Sequence, residues 1–193
     1  MPPEVLILAF DTSAAHCAAA LLSGDRILGT VHEPMEKGQA ERLMPLLEHL
    51  LAGHGHGWGD LTALAVGTGP GNFTGVRIAV SAARGLALGL GIPAVGVTAL
   101  EAMANGHPRP VTVSVDARRD EIYQQTFTGT GPLPAAIAPG PALTAPLSPE
   151  ALTAAIARIA AARLHEPQPR PAPFYLRPAD AAPPSDPGPV ILP

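Results

Sequence analysis

The sequence is poor in residue types that several functional classes need. Cys17 is the single cysteine among 193 residues, which excludes an internal disulfide and a zinc site built from several thiolates. Aromatic residues make up 4% of the chain, so the core must be built from aliphatic side chains. The formal net charge is −4, and no overall basic field exists to hold nucleic acid. A stand-alone RNA-binding protein is therefore disfavoured.

Signatures of common enzyme classes are also missing from the sequence. It contains neither a His-x-x-x-His pair for a metal ion nor a Gly-x-Ser-x-Gly nucleophile elbow. His49, His54 and His56 lie close together, but the glycines around them indicate a solvated loop rather than a metal site. Cys17 lies in an apolar stretch, which predicts a buried and inert thiol.

Hydrophobic residues make up 47% of the chain, enough for one compact domain or two small lobes. The apolar region 76–100 is interrupted by Arg77, Arg84 and Pro93, which favours a helix, a turn and a strand over a membrane span. No charged segment followed by an apolar run opens the sequence. These observations predict a soluble protein of the cytoplasm.

The hydrophobic pattern of the first half predicts alternating strands and helices. Strands are expected at 5–10, 17–22, 26–32, 63–66 and 93–97, and helices at 39–51, 75–90 and 98–104. Three antiparallel strands followed by helix, strand, helix and strand is the order of the ribonuclease H-like half that is duplicated in actin, sugar kinases and Hsp70 chaperones.

The second half predicts a shorter version of the same pattern. A strand at 111–115 runs into Asp116 and a second strand follows at 121–128, which is a weak internal repeat. Ser148 caps a predicted helix that ends near His165, and the proline-rich region beyond it is expected to drape over the surface or to be disordered. The expected fold is an α/β, actin-like, two-lobed one with mixed sheets flanked by helices and a reduced second lobe. We place the N-terminal lobe at 1–105, the reduced C-terminal lobe at 106–166 and the Pro-rich tail at 167–193.

A glycine-rich loop between the predicted strand 63–66 and the helix after it is the most informative feature. Gly67, Gly69 and Gly71 permit unusual backbone angles, and Asn72 or Thr74 can cap the helix. The spacing fails both the dinucleotide fingerprint and the P-loop, which would need a lysine. A structural turn, a phosphate cradle and a partner contact all stay open. The loop residues are Gly69, Pro70, Gly71, Asn72, Phe73, Thr74, Gly75 and Arg77.

Asp11 is placed where actin-like ATPases keep a carboxylate for a metal-bound nucleotide, with Thr12 and Ser13 beside it. Those enzymes have glycine in the following hairpin, whereas this chain has Ala14, Ala15 and His16. A structural aspartate bonded to loop amides is therefore favoured, and Asp116 is interpreted in the same way.

Two predicted helices carry faces suited to close helix packing. The small residues of the second helix and the leucine stripe of the first fit either packing on the sheet or an interface with another protein. The expected interface residues are Glu41, Leu43, Leu47, Ala79, Ala82 and Ala83.

Four motifs in this order resemble the TsaB family, also called YeaZ. They are Asp11-Thr12-Ser13, the string GPGNFTGVRI at 69–78, Asp116-Ala117-Arg118-Arg119 with Glu121 and Tyr123, and Tyr175-Leu176-Arg177. The resemblance implies a non-catalytic subunit that binds TsaD and the ATPase TsaE. It also implies a complex that adds threonylcarbamoyl to the adenosine beside the anticodon of ANN-decoding tRNAs.

The resemblance also sets expectations for ligands and partners. No catalytic residue, metal or cofactor is expected in this chain, ATP and metal belong to the partner subunits, and tRNA is met only through the complex. A homodimer is an alternative assembly, and no membrane role is implied. The chain departs from the family pattern at Asn72, at Ala79, and at Gln39 and Glu41. The rival interpretations are a small-molecule kinase of the same superfamily, a peptidase-related enzyme, and a self-associating interaction protein.

Overall fold

The computed structural model describes residues 5–177, which form two β-sheets and four α-helices. The first sheet has the order β3-β2-β1-β4-β5 and consists of β1 (Leu6–Asp11), β2 (His16–Ser23), β3 (Arg26–Pro34), β4 (Ala63–Gly67) and β5 (Ala94–Val97). In the second sheet β7 pairs with β6, β8 and β9, and the strands are β6 (Val111–Arg118), β7 (Glu121–Thr128), β8 (Gly131–Pro132) and β9 (Ala136–Pro139). The helices are α1 (Gln39–Gly53), α2 (Phe73–Leu90), α3 (Ala99–Ala104) and α4 (Pro149–Arg163), with a 3₁₀ turn at Trp58–Asp60.

The central strands β2, β1 and β4 of the first sheet are buried on both faces, which explains their continuous apolar sequences. β1 pairs antiparallel with β2 and parallel with β4, and every residue of β1 is buried. Because side chains alternate along a strand, Leu8 and Phe10 join the core under α1 and α2, whereas Ile7 and Ala9 join the core under α4. The mixed α/β fold predicted from the sequence is confirmed.

Helix α2 begins at Phe73, two residues before the predicted start, and ends at Leu90 as predicted. The Asn72 side chain accepts a hydrogen bond from the Gly75 amide at 3.0 Å, and Gly91 ends the helix with a φ of 68°. By length and composition α2 could cross a membrane, but this is weak evidence. In the fold the stripe containing Val76 and Val80 packs on the sheet, so α2 has the position of a core-flanking helix.

Helix α4 covers the first sheet, although in sequence it follows the strands of the second. Its Ile156, Ala157 and Ala160 are fully buried against Ile7 and other residues of β1, β2 and β4. An ion pair between Arg163 and Glu101 also ties α4 to α3. The lobe boundaries stay a prediction, but the helix assigned to the second lobe packs in space on the first.

The second sheet is small and repeats one detail of the first. Its hairpin β6–β7 packs Val113 and Phe127 against α3, and the short strands β8 and β9 lie in the Pro-rich stretch for which no strands were predicted. Asp116 Oδ1 accepts a hydrogen bond from the Arg118 amide at 3.0 Å, and Asp11 makes the equivalent bond in the first sheet. The two aspartates therefore have the same local role.

Candidate functional site

The glycine-rich loop lies directly on the turn that joins β1 and β2. The Asn72 amide donates to the Ser13 carbonyl at 2.6 Å, and the Thr12 hydroxyl donates to the Gly75 carbonyl at 2.6 Å. A Cβ at Gly75 would overlap the Thr12 carbonyl oxygen and lie 3.0 Å from its carbonyl carbon. A Cβ at Gly71 would likewise overlap the Ser13 carbonyl oxygen. Backbone therefore meets backbone here, which leaves no room for a side chain at either glycine.

Of Gly67, Gly69 and Gly71, which were all predicted to adopt unusual backbone angles, only Gly69 does so. Gly69 has a φ of 88°, whereas Gly67 and Gly71 are not in the left-handed region. A Cβ at Gly67 would overlap Oδ2 of Asp11 and lie 2.8 Å from its Cγ. For Gly67 and Gly71 the predicted reason for glycine was wrong. Glycine is needed at these positions because Asp11 and Ser13 approach the backbone too closely for a side chain, and not because of the backbone angles.

The carboxylate of Asp11 is engaged by its own turn. Asp11 is 1% exposed, and its Oδ1 accepts hydrogen bonds from the Ser13 amide at 2.9 Å and the Ser13 hydroxyl at 2.8 Å. The His16 Nε2 lies 3.2 Å from the same oxygen, a partner that the sequence did not predict. Within residues 5–177 no cluster of three or more metal-binding side chains occurs. This geometry supports the structural interpretation of Asp11.

Three side chains on the outside of the loop form a stacked group, which we call the aromatic clasp: Phe73, Arg77 and Tyr175. The rings of Phe73 and Tyr175 stack with their centroids 5.0 Å apart, and the Arg77 guanidinium lies 3.8 Å from the Phe73 centroid. Arg77 Nε also donates to the Tyr175 hydroxyl at 2.9 Å. Phe73 and Tyr175 nevertheless stay 38% and 43% exposed, so the clasp lies at the surface.

The chain after α4 returns across the loop and continues to the second sheet. The Phe174 amide donates to the Thr68 carbonyl at 2.8 Å, and Arg177 forms an ion pair with Glu121. The sequence predicted a draped or disordered tail from 167 onward. In the described part of that tail, up to residue 177, the chain is held by specific contacts, and residues 178–193 lie outside the described residues. The loop, the Asp116–Glu121 turn and the Tyr175–Arg177 segment thus meet on one surface.

Four of the six residues expected at a partner interface lie in the core of this chain. Leu43, Leu47, Ala79 and Ala83 are at most 1% exposed and pack against the first sheet, so their side chains are not available at the surface. This corrects the expectation for these four positions. The reason is that the apolar stripe of a helix on a sheet faces the sheet first. Glu41 is exposed and Ala82 is half-buried, so an interface through α1 and α2 stays a prediction.

Truncating Tyr175 should weaken the fold measurably. Tyr175→Ala removes the ring stacking and the hydrogen bond to Arg77, and we expect a loss of about 1–2 kcal/mol in the free energy of unfolding. Tyr175→Phe keeps the ring and should lose less than about 1 kcal/mol. Urea denaturation of both variants measures the difference. Equal stability of Tyr175→Ala and the parent would show that the clasp does not hold the segment.

The buried thiol of Cys17 should react slowly. Burial raises its pKa to about 11, with the carboxylate of Glu33 as a further cause. Since only the thiolate reacts, modification at pH 8 should be about 200-fold slower than for an unfolded cysteine, whose pKa is about 8.5. Iodoacetamide labelling, with the guanidinium-unfolded chain as control, tests this. Similar rates in the two states would contradict the buried position.

A five-stranded sheet of order β3-β2-β1-β4-β5 flanked by helices is followed by a smaller sheet, and an aspartate lies at or near the end of the first strand of each. This arrangement defines a protein of the actin-like class. The family described as TsaD: tRNA N6-adenosine threonylcarbamoyltransferase matches residues 22–165, and the chain belongs to this family. Membership connects the chain with tRNA modification.

Solved structures with the same fold point to one branch of the family. YeaZ from Pseudomonas aeruginosa is similar with a TM-score of 0.71 and 28% identity, over 89% of this chain and 100% of that one. An uncharacterized protein with similarity to peptidase YEAZ, also from Pseudomonas aeruginosa, gives a TM-score of 0.68 and 27% identity, over 90% of this chain and 100% of that one. No curated protein matches the sequence. The resemblance to the TsaB (YeaZ) family is confirmed.

Proposed function

We propose that this chain is a non-catalytic scaffold that binds and activates a TsaD-type partner. In this proposal the complex, which includes a TsaE-type ATPase, adds threonylcarbamoyl to the adenosine beside the anticodon of ANN-decoding tRNAs. The chain works in the cytoplasm and meets tRNA only within the complex. Family membership and the similarity to YeaZ support this assignment.

The packing of the loop on the β1–β2 turn is the observation that carries the non-catalytic part of the proposal. An actin-like ATPase needs a free carboxylate and open loop amides around a metal-bound nucleotide. Here Asp11 Oδ1 is bonded to Ser13, and the Asn72 amide is bonded to the Ser13 carbonyl. Groups that would serve a nucleotide instead hold two segments of the chain together. We therefore assign ATP and metal to the partner subunits.

The outer side of α1 and α2 is the surface we assign to the partner. Beyond the buried stripe, α2 has small or polar residues at Ser81, Ala82 and Gly85, which let a second helix approach closely. Leu88 is 81% exposed at the end of the same helix. Exposed leucine beside small residues is favourable for helix–helix contact with another protein.

Reconstitution tests the proposal directly. The chain is combined with TsaD, TsaE, tRNA and the components that supply the threonylcarbamoyl group, and modified tRNA is quantified with and without the chain. We expect co-elution with TsaD and loss of transfer when the chain is omitted. Calorimetry of the chain alone with Mg-ATP should give no micromolar binding. Tight binding of Mg-ATP, or full transfer without the chain, would overturn the scaffold role.

A further inference from the structure

Three separate motifs meet around the aromatic clasp, and the surface that we assign to the partner on α1 and α2 includes none of them. Tyr175 stacks on Phe73 of the loop, and two residues later Arg177 pairs with Glu121 of the second sheet. Phe73 and Tyr175 keep more than a third of their surface exposed. A purely structural contact between these segments would be more stable with the rings buried. The exposed rings are therefore available to a ligand.

One arginine contacts the exposed rings, and two others lie on the segments next to them. The Arg77 guanidinium lies over Phe73, and Arg177 lies beside Tyr175 in sequence. Arg118 is directly opposite Glu121 in the β6–β7 ladder, and Glu121 is engaged by Arg177. Asp116 Oδ1 accepts a hydrogen bond from the Arg118 backbone amide at 3.0 Å, and Arg118 itself is exposed. An exposed cation is thus connected to the clasp segment through Glu121 and Arg177.

The turn that presents Arg118 has an uncommon backbone. Arg118, Arg119 and Asp120 have φ values of 63°, 57° and 57°, so three successive residues with side chains are left-handed. Such conformations are strained and persist where the surroundings fix them, often at binding sites. Here the strand pairing on both sides of the turn holds it. The geometry keeps the two arginines at the end of the hairpin, next to the Arg177 ion pair.

We propose that the clasp and the Arg118 turn form a contact surface for an RNA segment with unstacked bases. A base stacks on the exposed Tyr175 ring, and backbone phosphates lie against the Arg118 and Arg77 guanidinium groups. Aromatic rings and guanidinium planes are the groups on which proteins stack unpaired bases. The exposed groups are planar and cationic, which suits the stacking of bases and contact with phosphates. This inference rests on the proposed function, which brings tRNA to the complex.

The negative charge of the chain explains why this surface can bind RNA only when the chain is part of the complex. The chain has a formal net charge of −4, and Asp116, Asp120 and Glu121 lie in the same turn as the arginines. Long-range attraction to RNA is therefore weak, because most nonspecific RNA affinity comes from many phosphate contacts. A partner that already holds the tRNA raises its local concentration at the clasp. The surface then positions the RNA rather than capturing it.

Photo-crosslinking in the assembled complex tests the contact. Position 175 is replaced by p-benzoylphenylalanine, the variant is assembled with TsaD, TsaE and tRNA, and the products of irradiation are separated. The same residue at position 162, on the exposed side of α4, is the control. We expect a tRNA adduct from position 175 alone. An adduct only with protein, or none in an assembled and active complex, would overturn the proposal.

Kinetics separate RNA positioning from a structural role. Arg118→Gln should raise the KM for tRNA about tenfold, with kcat and association with TsaD unchanged, because one charge-assisted contact is lost. Arg158→Gln, which removes an exposed arginine on α4, should leave all three unchanged. An unchanged KM, or a loss confined to kcat or assembly, contradicts the RNA contact. Failure of the parent chain to bind TsaD or support transfer would instead refute the proposed function, and it is measured first.

Discussion

Replacing Gly75 by alanine is expected to destabilise the protein by about 3 kcal/mol or more, or to prevent folding. The added methyl group would overlap the Thr12 carbonyl oxygen. The position of the methyl group is fixed by the backbone of α2, and the oxygen belongs to the backbone of the β1–β2 turn. Relief of the overlap therefore requires the start of α2 to move away from that turn. That movement would also break the hydrogen bond between the Thr12 hydroxyl and the Gly75 carbonyl. Thermal and urea unfolding followed by circular dichroism measure the loss.

Gly85→Ala provides a matched control on the same helix. A Cβ at Gly85 meets nothing within 4 Å, and glycine inside a helix costs about 0.5–1 kcal/mol relative to alanine. This variant should therefore be slightly more stable than the parent. If Gly75→Ala and Gly85→Ala had the same stability, the loop would not be packed on the turn as described. Gly71→Val should resemble Gly75→Ala, because of its overlap with Ser13.

Arginine at two neighbouring positions of α2 should have opposite consequences. Ala83 is 0% exposed in the core, so Ala83→Arg buries an unpaired charge and is expected to unfold the chain. Ala82 is half-buried at the surface, so Ala82→Arg should leave the melting temperature within a few degrees of the parent. We expect Ala82→Arg to weaken association with TsaD by about 100-fold, since a charge buried without a partner costs several kcal/mol.

Ala162→Arg makes the same change on the exposed side of α4, away from α1 and α2. It should alter neither the melting temperature nor the affinity for TsaD. Thermal melting and a titration of TsaD, performed for all three variants, give the comparison. Tight binding by Ala82→Arg would show that this side of α2 does not contact the partner. That result would not change the conclusion that Ala83 is buried in the core.

The sequence by itself determined the order and type of most elements, because these depend on neighbouring residues. Alternating and helical spacing predicted the first sheet and α1 and α2 to within two residues at each end. The helix caps followed from local chemistry: Thr98 accepts from the Glu101 amide at 3.0 Å, and Ser148 from the Ala151 amide at 3.2 Å. The four short motifs were also sufficient to indicate the family.

The tertiary structure alone decided the contacts between segments far apart in the chain. Spacing showed that glycines were needed in the loop, but only the fold showed that Gly67 and Gly71 make room for Asp11 and Ser13. The return of Tyr175 to Phe73 spans about a hundred residues, and no local pattern encodes it. Because the local pattern does not show what a helix packs against, the sequence could not decide whether Leu43 and Ala83 lie in the core or at an interface. A helix stripe is apolar in both cases, and which surface it meets depends on where the chain places the sheet.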